Sequence, residues 1–354
     1  MSAPTRRADG TSGPSKRARP DPLRREAREE RGRRRPAGWA VVARKELADH
    51  LLSVRFVILL IVLGAAAVVP LYFAADAIRA AASQVSGSSA IFLALFVLPP
   101  STVSVPPVYG FVGIVAPLIG VAFSFDAINS ERSDGTLPRL VAQPIHRDDV
   151  ITGKFVAGLA AIMIVLVAVV LVISGFGIAR LGIVPAASEV ARVVVWLLFT
   201  IVWVSLWLAF GLLLSVVIRR AATAALAGFG IWLLLQIFGQ LLVGLVTQVV
   251  APYSTAATAQ DAVSLKNLSD TITRIIPLTL YEEGSRVILN PSQTTVSTPA
   301  TLGQLQQYQN QIPSLLSLQQ SLLLVWPHVV ILVALTVVCF AVAYIQFMRQ
   351  EIRA

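Results

Sequence analysis

The feature that most restricts this chain is a set of apolar runs, each around 20 residues long, that recur between Phe56 and Phe347. Roughly 20 consecutive apolar residues cross a bilayer as an α-helix, and a helix satisfies its own backbone in lipid. The chain has 56% hydrophobic and only 14% charged residues, against about a quarter charged in an ordinary soluble domain. It therefore lacks the polar surface of a water-soluble fold. The runs predict an all-α polytopic membrane protein with six transmembrane helices, at residues 56–75, 106–125, 155–178, 193–218, 224–250 and 325–347. A shorter run, 90–98, is expected as an interfacial or re-entrant piece outside the membrane.

Charge gives these spans a direction. About half of the 29 Lys and Arg precede Phe56, most of them in residues 1–36. That composition predicts a disordered basic tail. A nucleic-acid surface would interleave its basic residues with aromatics, and no aromatic residue precedes Trp39. Solvated topology signal and contact with anionic lipid headgroups are the two readings left for the tail. Basic residues recur between spans two and three (Arg132, Arg139, Arg147, Lys154), between four and five (Arg219, Arg220) and after span six (Arg349, Arg353). Positive charge marks cytoplasmic loops, so the chain is expected to cross the cell membrane with both ends on the cytoplasmic side. The first apolar run is too long for a signal-peptide core and has no following cleavage pattern. It should remain as an anchor.

The absent motifs narrow the function. His50, His146 and His328 are widely spaced, and Cys339 is the lone cysteine, so neither a metal site nor a disulfide framework is expected. No Gly-x-Ser-x-Gly elbow occurs, and the span centres carry no carboxylate pair of the kind that marks proton pathways. Gly153-Lys154 is followed by Phe155 and lacks the upstream glycine of a phosphate loop. The chain is therefore not read as an enzyme, and any ATP hydrolysis must occur in another subunit.

Two polar elements flank the first spans. Residues 38–55 place Trp39, Val42, Leu47, Leu51 and Val54 near one helical stripe, the pattern of an interfacial helix. Residues 127–154 read as helix, break, short helix, break and helix. Asp134-Gly135 ends the first helix with a left-handed cap, and Thr136 caps the next with Pro138 in its first turn. Pro144 ends that short helix, and Asp148 and Asp149 suit the positive start of the third. Plain helix connections take about two to eight residues, so this longer ordered loop is expected to be a docking surface. The segment 251–324 should carry short helices outside, at 268–276 and 278–289, before a Gln-rich stretch.

The run Arg44-Lys45-Glu46-Leu47, then Glu131…Gly135-Thr136-Leu137…Pro144-Ile145-His-Arg147…Gly153-Lys154, resembles the permease subunits of type 2 ABC transporters. The resemblance covers about Trp39 to the C-terminus. It implies a six-span permease that pairs with a second permease copy or paralogue and docks a separate cytoplasmic ATPase, which binds ATP and Mg. It also implies coupling through Arg44, Lys45, Glu46, Glu131, Gly135, Thr136, Leu137, Pro144, Ile145, Arg147 and Lys154. Glu131 and Arg147 would touch the ATPase, while Gly135 and Pro144 shape the turn. Export of a hydrophobic or amphipathic compound is the family expectation. A non-transport anchor or sensor subunit using the same docking loop is the alternative.

In span five, Gln236 and Gln240 stand four residues apart and so share a face of an α-helix. They are read either as hydrogen-bond donors to neighbouring helices or as candidate path-lining residues.

Overall fold

A bilayer-sized apolar run must close its hydrogen bonds within itself, and the computed structural model is accordingly helical throughout. It describes residues 37–84, 91–98, 106–135, 146–252, 258–293, 295–296 and 315–350. The expected basic tail, residues 1–36, and the Gln-rich stretch up to residue 314 lie outside these. No strand occurs among the described residues.

In chain order the helices are α1 Gly38–Leu51, α2 Val54–Gln84, α3 Ala94–Val97, α4 Val108–Ser124, α5 Asn129–Ser133, α6 Arg147–Leu181 and α7 Ala187–Val217. They continue with α8 Ala221–Leu233, a π turn Leu234–Phe238, α9 Gly239–Val250, α10 Ala259–Thr273, α11 Pro277–Leu289 and α12 Leu318–Arg349. Six segments are long and apolar enough to cross a membrane: Val54–Ala75, Val108–Ser133, Arg147–Leu181, Ala187–Val217, Ala221–Phe238 and Leu318–Arg349. This is the expected six-span layout. The helix of the third span starts at Arg147, so Asp148 and Asp149 form its first turn and eight residues (155 − 147) precede the predicted apolar run.

α7 is the centre of the bundle, and it buries Trp196, Phe199, Trp203 and Trp207. α4, α11 and α12 pack around it, while α2, α8 with α9, and the outer side of α12 keep apolar faces exposed. Lipid covers such faces without cost, whereas water would not.

α4 carries Pro117 in its interior, and proline cannot donate to the carbonyl four residues back. Gly113 O is therefore without its helical donor. Trp203 Nε1 of α7 donates to it at 3.0 Å, and Gln236 Nε2 of the π turn donates at 3.3 Å. Trp232 Nε1 donates to the next carbonyl, Ile114 O, at 3.0 Å. A helix break in span two is thus satisfied by side chains of spans four and five.

α11 does not lie flat on the bundle. Tyr281 is fully buried and stacks between Phe199 and Trp203, with centroids 5.6 and 5.5 Å away and ring planes 9° and 19° from parallel. A Cβ on Gly113 would fall 2.6 Å from the Tyr281 ring, so only glycine admits this approach. Apolar patterning predicted a helix here but not its insertion. Pro277 in its first turn starts it. In the described part of the short run, 91–98, Phe92, Leu93, Leu95 and Phe96 are likewise buried, and Phe96 packs on Trp196 at 5.4 Å.

Candidate functional site

Two polar clusters lie at opposite ends of the bundle, and each is built from several helices. They are called here the Lys154 face and the Arg192 face.

On the Lys154 face, α1 lies along the first turns of α6. Gly153 makes the fit possible, since a Cβ there would fall 2.7 Å from Val42 and 2.8 Å from Trp39 O. Asp149 joins the two helices as well: its Oδ1 accepts from Trp39 N at 3.0 Å, and its Oδ2 accepts from His146 N at 3.3 Å. An acid in this position also suits the positive start of α6. α1 ends at Leu51, and Ser53 Oγ accepts from Phe56 N at 3.2 Å to begin α2.

Lys154, one turn further along α6, is buried, and its Nζ lies 3.0 Å from Glu46 Oε2 of α1 and 3.3 Å from Glu131 Oε1 of α5. A single ammonium thus joins three elements that are far apart in sequence. Arg55 at the start of α2 pairs with Asp126. These groups line a cavity of about 250 Å³ together with Asp49, His50 and Ser130. Burial pushes the His50 imidazole below its ordinary value of 6.5, and the ring packs edge-on against Phe123 at 5.0 Å.

Gln350, the residue after α12, is fixed to the same face. Gln350 Oε1 accepts from Arg132 Nη2 at 2.7 Å, its backbone carbonyl accepts from Arg147 Nη1 at 3.2 Å, and its Nε2 donates to Val216 O at 2.8 Å. Ser215 Oγ of α7 accepts the backbone N–H groups of Ile128 and Asn129 at 3.0 and 3.2 Å. So α5 is held by α7 and the segment after α12 as well as by Lys154.

The residues singled out from sequence fall into groups. Glu46, Glu131 and Lys154 converge. Lys45 is largely exposed and pairs with Glu46 and Asp49 at 3.4 and 3.3 Å. Arg44 is exposed. Arg147 is bonded to Gln350, and Gly135 has the left-handed φ of +65° that its cap role requires. Thr136, Leu137, Pro144 and Ile145 lie outside the described residues. Gln236 is buried with its amide nitrogen on Gly113 O, and its Oε1 has no partner among the described residues. The side chain of Gln240 is outside the described residues.

The Arg192 face was largely missed. Arg192 is 5% exposed. Its Nη1 donates to Ile288 O at 2.8 Å and Ser321 Oγ at 3.1 Å, and its Nη2 donates to Leu316 O. Beside it, Glu189 accepts from Phe92 N and from Ala186 N, each at 2.8 Å. Glu283 of α11 accepts from Arg274 Nε at 2.8 Å and lies 2.9 Å from His328 Nε2. Burial pushes the Glu283 carboxyl up, but the hydrogen bonds from His328 and Arg274 outweigh it and hold it below 4.5. The available signal was Arg192 itself, a lone cation at the start of an apolar helix, which is costly unless it is bonded.

Among the described residues no cluster of three or more His, Cys, Asp and Glu could hold a metal ion. On the Lys154 face one ion cluster around a buried ammonium ties α1 and α5 to α6.

Comparison with known proteins agrees with this architecture. Residues 40–352 match the ABC-2 family transporter protein pattern. The protein named probable ABC transporter permease protein NosY, from Stutzerimonas stutzeri, is 30% identical over 200 residues. The matched stretch covers 54% of this chain and 64% of that relative.

Proposed function

We propose that this chain, which belongs to the ABC-2 transporter family, is the membrane-spanning permease subunit of an ATP-binding-cassette transporter. The observation that carries the coupling part of this reading is the contact of Lys154 with both Glu46 and Glu131. A partner pressing on the loop after span two, or on α1, would move α6 with it, because the ammonium belongs to the rod and the carboxylates belong to the two pressed elements. Buried ion pairs add little net stability but fix geometry well, which is what a coupling joint requires.

The partner is a separate cytoplasmic ATPase that binds ATP and Mg. The Lys154 face and both chain ends lie in the cytoplasm, as the positive-inside rule predicts. A second permease copy or paralogue completes the path, and the cargo is a hydrophobic or amphipathic compound moved outward. In this reading Glu131 and Arg147 act from inside the permease, as braces for α5 and the chain end, instead of as direct contacts to the ATPase. Arg44 and Lys45, being exposed, are left to meet it.

The test is mild purification from native membranes, with mass spectrometry of what accompanies the chain and an assay of ATP hydrolysis. A stoichiometric ATP-binding-cassette ATPase is expected, retained in wild type and uncoupled from added amphiphiles in Lys154→Met. Recovery of the intact chain without any ATPase would overturn the reading.

A further inference from the structure

α11 carries two charges that neither the coupling joint nor the aromatic stack uses, Glu282 and Arg286. They stand four residues apart and share one face of the helix. Gly284, midway between them in sequence, shows where that face points. A Cβ on Gly284 would fall 2.6 Å from Phe199 of α7 and 3.2 Å from Val325 of α12. Each residue turns a helix by about 100°, so Glu282 and Arg286 both lie about 200° away from Gly284. They therefore point away from α7 and α12. Both are half-buried, and among the described residues neither side chain makes a hydrogen bond or a closed ion pair. Burial pushes the Glu282 carboxyl above 4.5, against the pull of Arg286.

The depth of this face follows from the register of α11 on α7. Tyr281 stacks on Phe199 and Trp203, Ser285 Oγ accepts from Trp196 Nε1 at 3.1 Å, and Ile288 O accepts from Arg192. α11 thus runs antiparallel to α7, from the middle of that span toward its first residue. The 31 residues of α7 measure about 46 Å, against about 30 Å of hydrocarbon. A centred helix leaves about 8 Å outside at each end. Phe199 lies 12 residues (199 − 187), or about 18 Å, from the start of α7. Glu282, beside Tyr281, is therefore about 10 Å inside the hydrocarbon level, and Arg286 is one turn nearer the surface.

Charged side chains at such a depth face the interior of a bundle or a water-filled space, because lipid is a costly neighbour. The interior of this bundle lies on the other side of α11. We propose that Glu282 and Arg286 line a water-filled section of the transport path, at the end of the bundle opposite Lys154. This deepens the permease reading: a carboxylate and a guanidinium side by side offer the polar end of a passing amphiphile both an acceptor and donors.

The test is thiol labelling of the full chain in lipid nanodiscs. Cys339 is the single cysteine, so Cys339→Ala gives the background. Into it go Glu282→Cys and Arg286→Cys, with two controls at similar depth: Leu198→Cys on the exposed apolar side of α7, and Ser285→Cys at a fully buried position of α11. The probes are two membrane-impermeant methanethiosulfonates, one carrying a sulfonate and one a quaternary ammonium, and the readout is the rate of mass increase. Glu282→Cys and Arg286→Cys should react about tenfold faster than either control, or more, because apolar surroundings keep a thiol protonated. Glu282→Cys keeps Arg286 and should favour the sulfonate, while Arg286→Cys keeps Glu282 and should favour the ammonium. Either variant decides the matter if the other does not fold. Rates equal to Leu198→Cys place this face against lipid, and rates equal to Ser285→Cys place it under a protein cover; each overturns the proposal. Neither ATP nor an ATPase is present, so unreactive thiols would leave the permease reading standing.

Discussion

The two faces solve the same problem, buried charge, in different ways. At the Lys154 face an ammonium is paired with two carboxylates, so opposite full charges hold α1, α5 and α6 together. At the Arg192 face a guanidinium is met by carbonyl and hydroxyl oxygens, and the neighbouring helix α11 is fixed mainly by the aromatic stack around Tyr281. Charge pairs define positions sharply while contributing little net stability. Stacked, fully buried rings contribute stability through area and packing. The first face is thus built for geometry and the second for hold.

Changes that separate these two modes should differ in size. Lys154→Met takes the buried ammonium from between Glu46 and Glu131, and removing one partner of a buried pair costs about 3–5 kcal/mol. The triple change Lys154→Met, Glu46→Gln, Glu131→Gln should regain most of that in a thermal or denaturant melt. A triple variant no more stable than the single one would show that the pairing is not what holds the face.

Tyr281→Ala should cost a comparable or slightly smaller amount, about 3–5 kcal/mol by analogy with aromatic truncations in cores. Here Tyr281→Phe should keep nearly all of it, losing about 0.5–1.5 kcal/mol for the bond to Thr200. If Phe were as damaging as Ala, hydrogen bonding and not stacking would hold α11.

Acid should act on the two faces in sequence. The folded pKa of His50 lies below its ordinary 6.5, so the unfolded chain takes up that proton first. The Lys154 face is therefore at full stability above pH 6.5 and weakens as pH falls below it. Glu283 lies below its ordinary 4.5, so its contribution is present above pH 4.5 and is lost as pH falls through the folded value. Melting temperature against pH should show two declines, and His50→Phe should remove the upper one alone. A single decline near pH 4 in wild type would erase the distinction.

The smallest effect is expected at Gln236. Gly113 O keeps Trp203 as a donor when Gln236→Leu removes the second one, and the orphaned Oε1 disappears as well. The two terms oppose each other, so the melt should move by no more than about 1 kcal/mol. A larger loss would mean that this amide, and not the indole, repairs the Pro117 break.

The spans were legible in sequence because bilayer crossing imposes a length and a composition that survive any packing arrangement. Glu46, Glu131 and Lys154 were legible as a motif, but not as one cluster. Residues 85 positions apart (131 − 46) reveal no contact by periodicity. The insertion of α11 was hidden for another reason. An apolar face reads alike whether it meets lipid or other helices, and the glycines that admit α11, Gly113 opposite Tyr281 and Gly284 opposite Phe199, carry no mark of those contacts in the sequence. For Arg192, sequence shows that a charge sits near the end of an apolar run, not what surrounds it.

The π turn at Leu234–Phe238 carries a consequence for anyone mapping span five residue by residue. Its hydrogen bonds reach one residue further than those of an α-helix, so the wheel after it is out of phase with the wheel before it by roughly one residue, or about 100°. Gln236, inside the π turn, and Gln240, just after it, would share a face only on an unbroken α-helix. A cysteine-accessibility or cross-linking scan along Ala221–Val250 should thus give two clean 3.6-residue periodicities that fail to join. A single helical wheel drawn through all of it would assign half of the helix to the wrong neighbour.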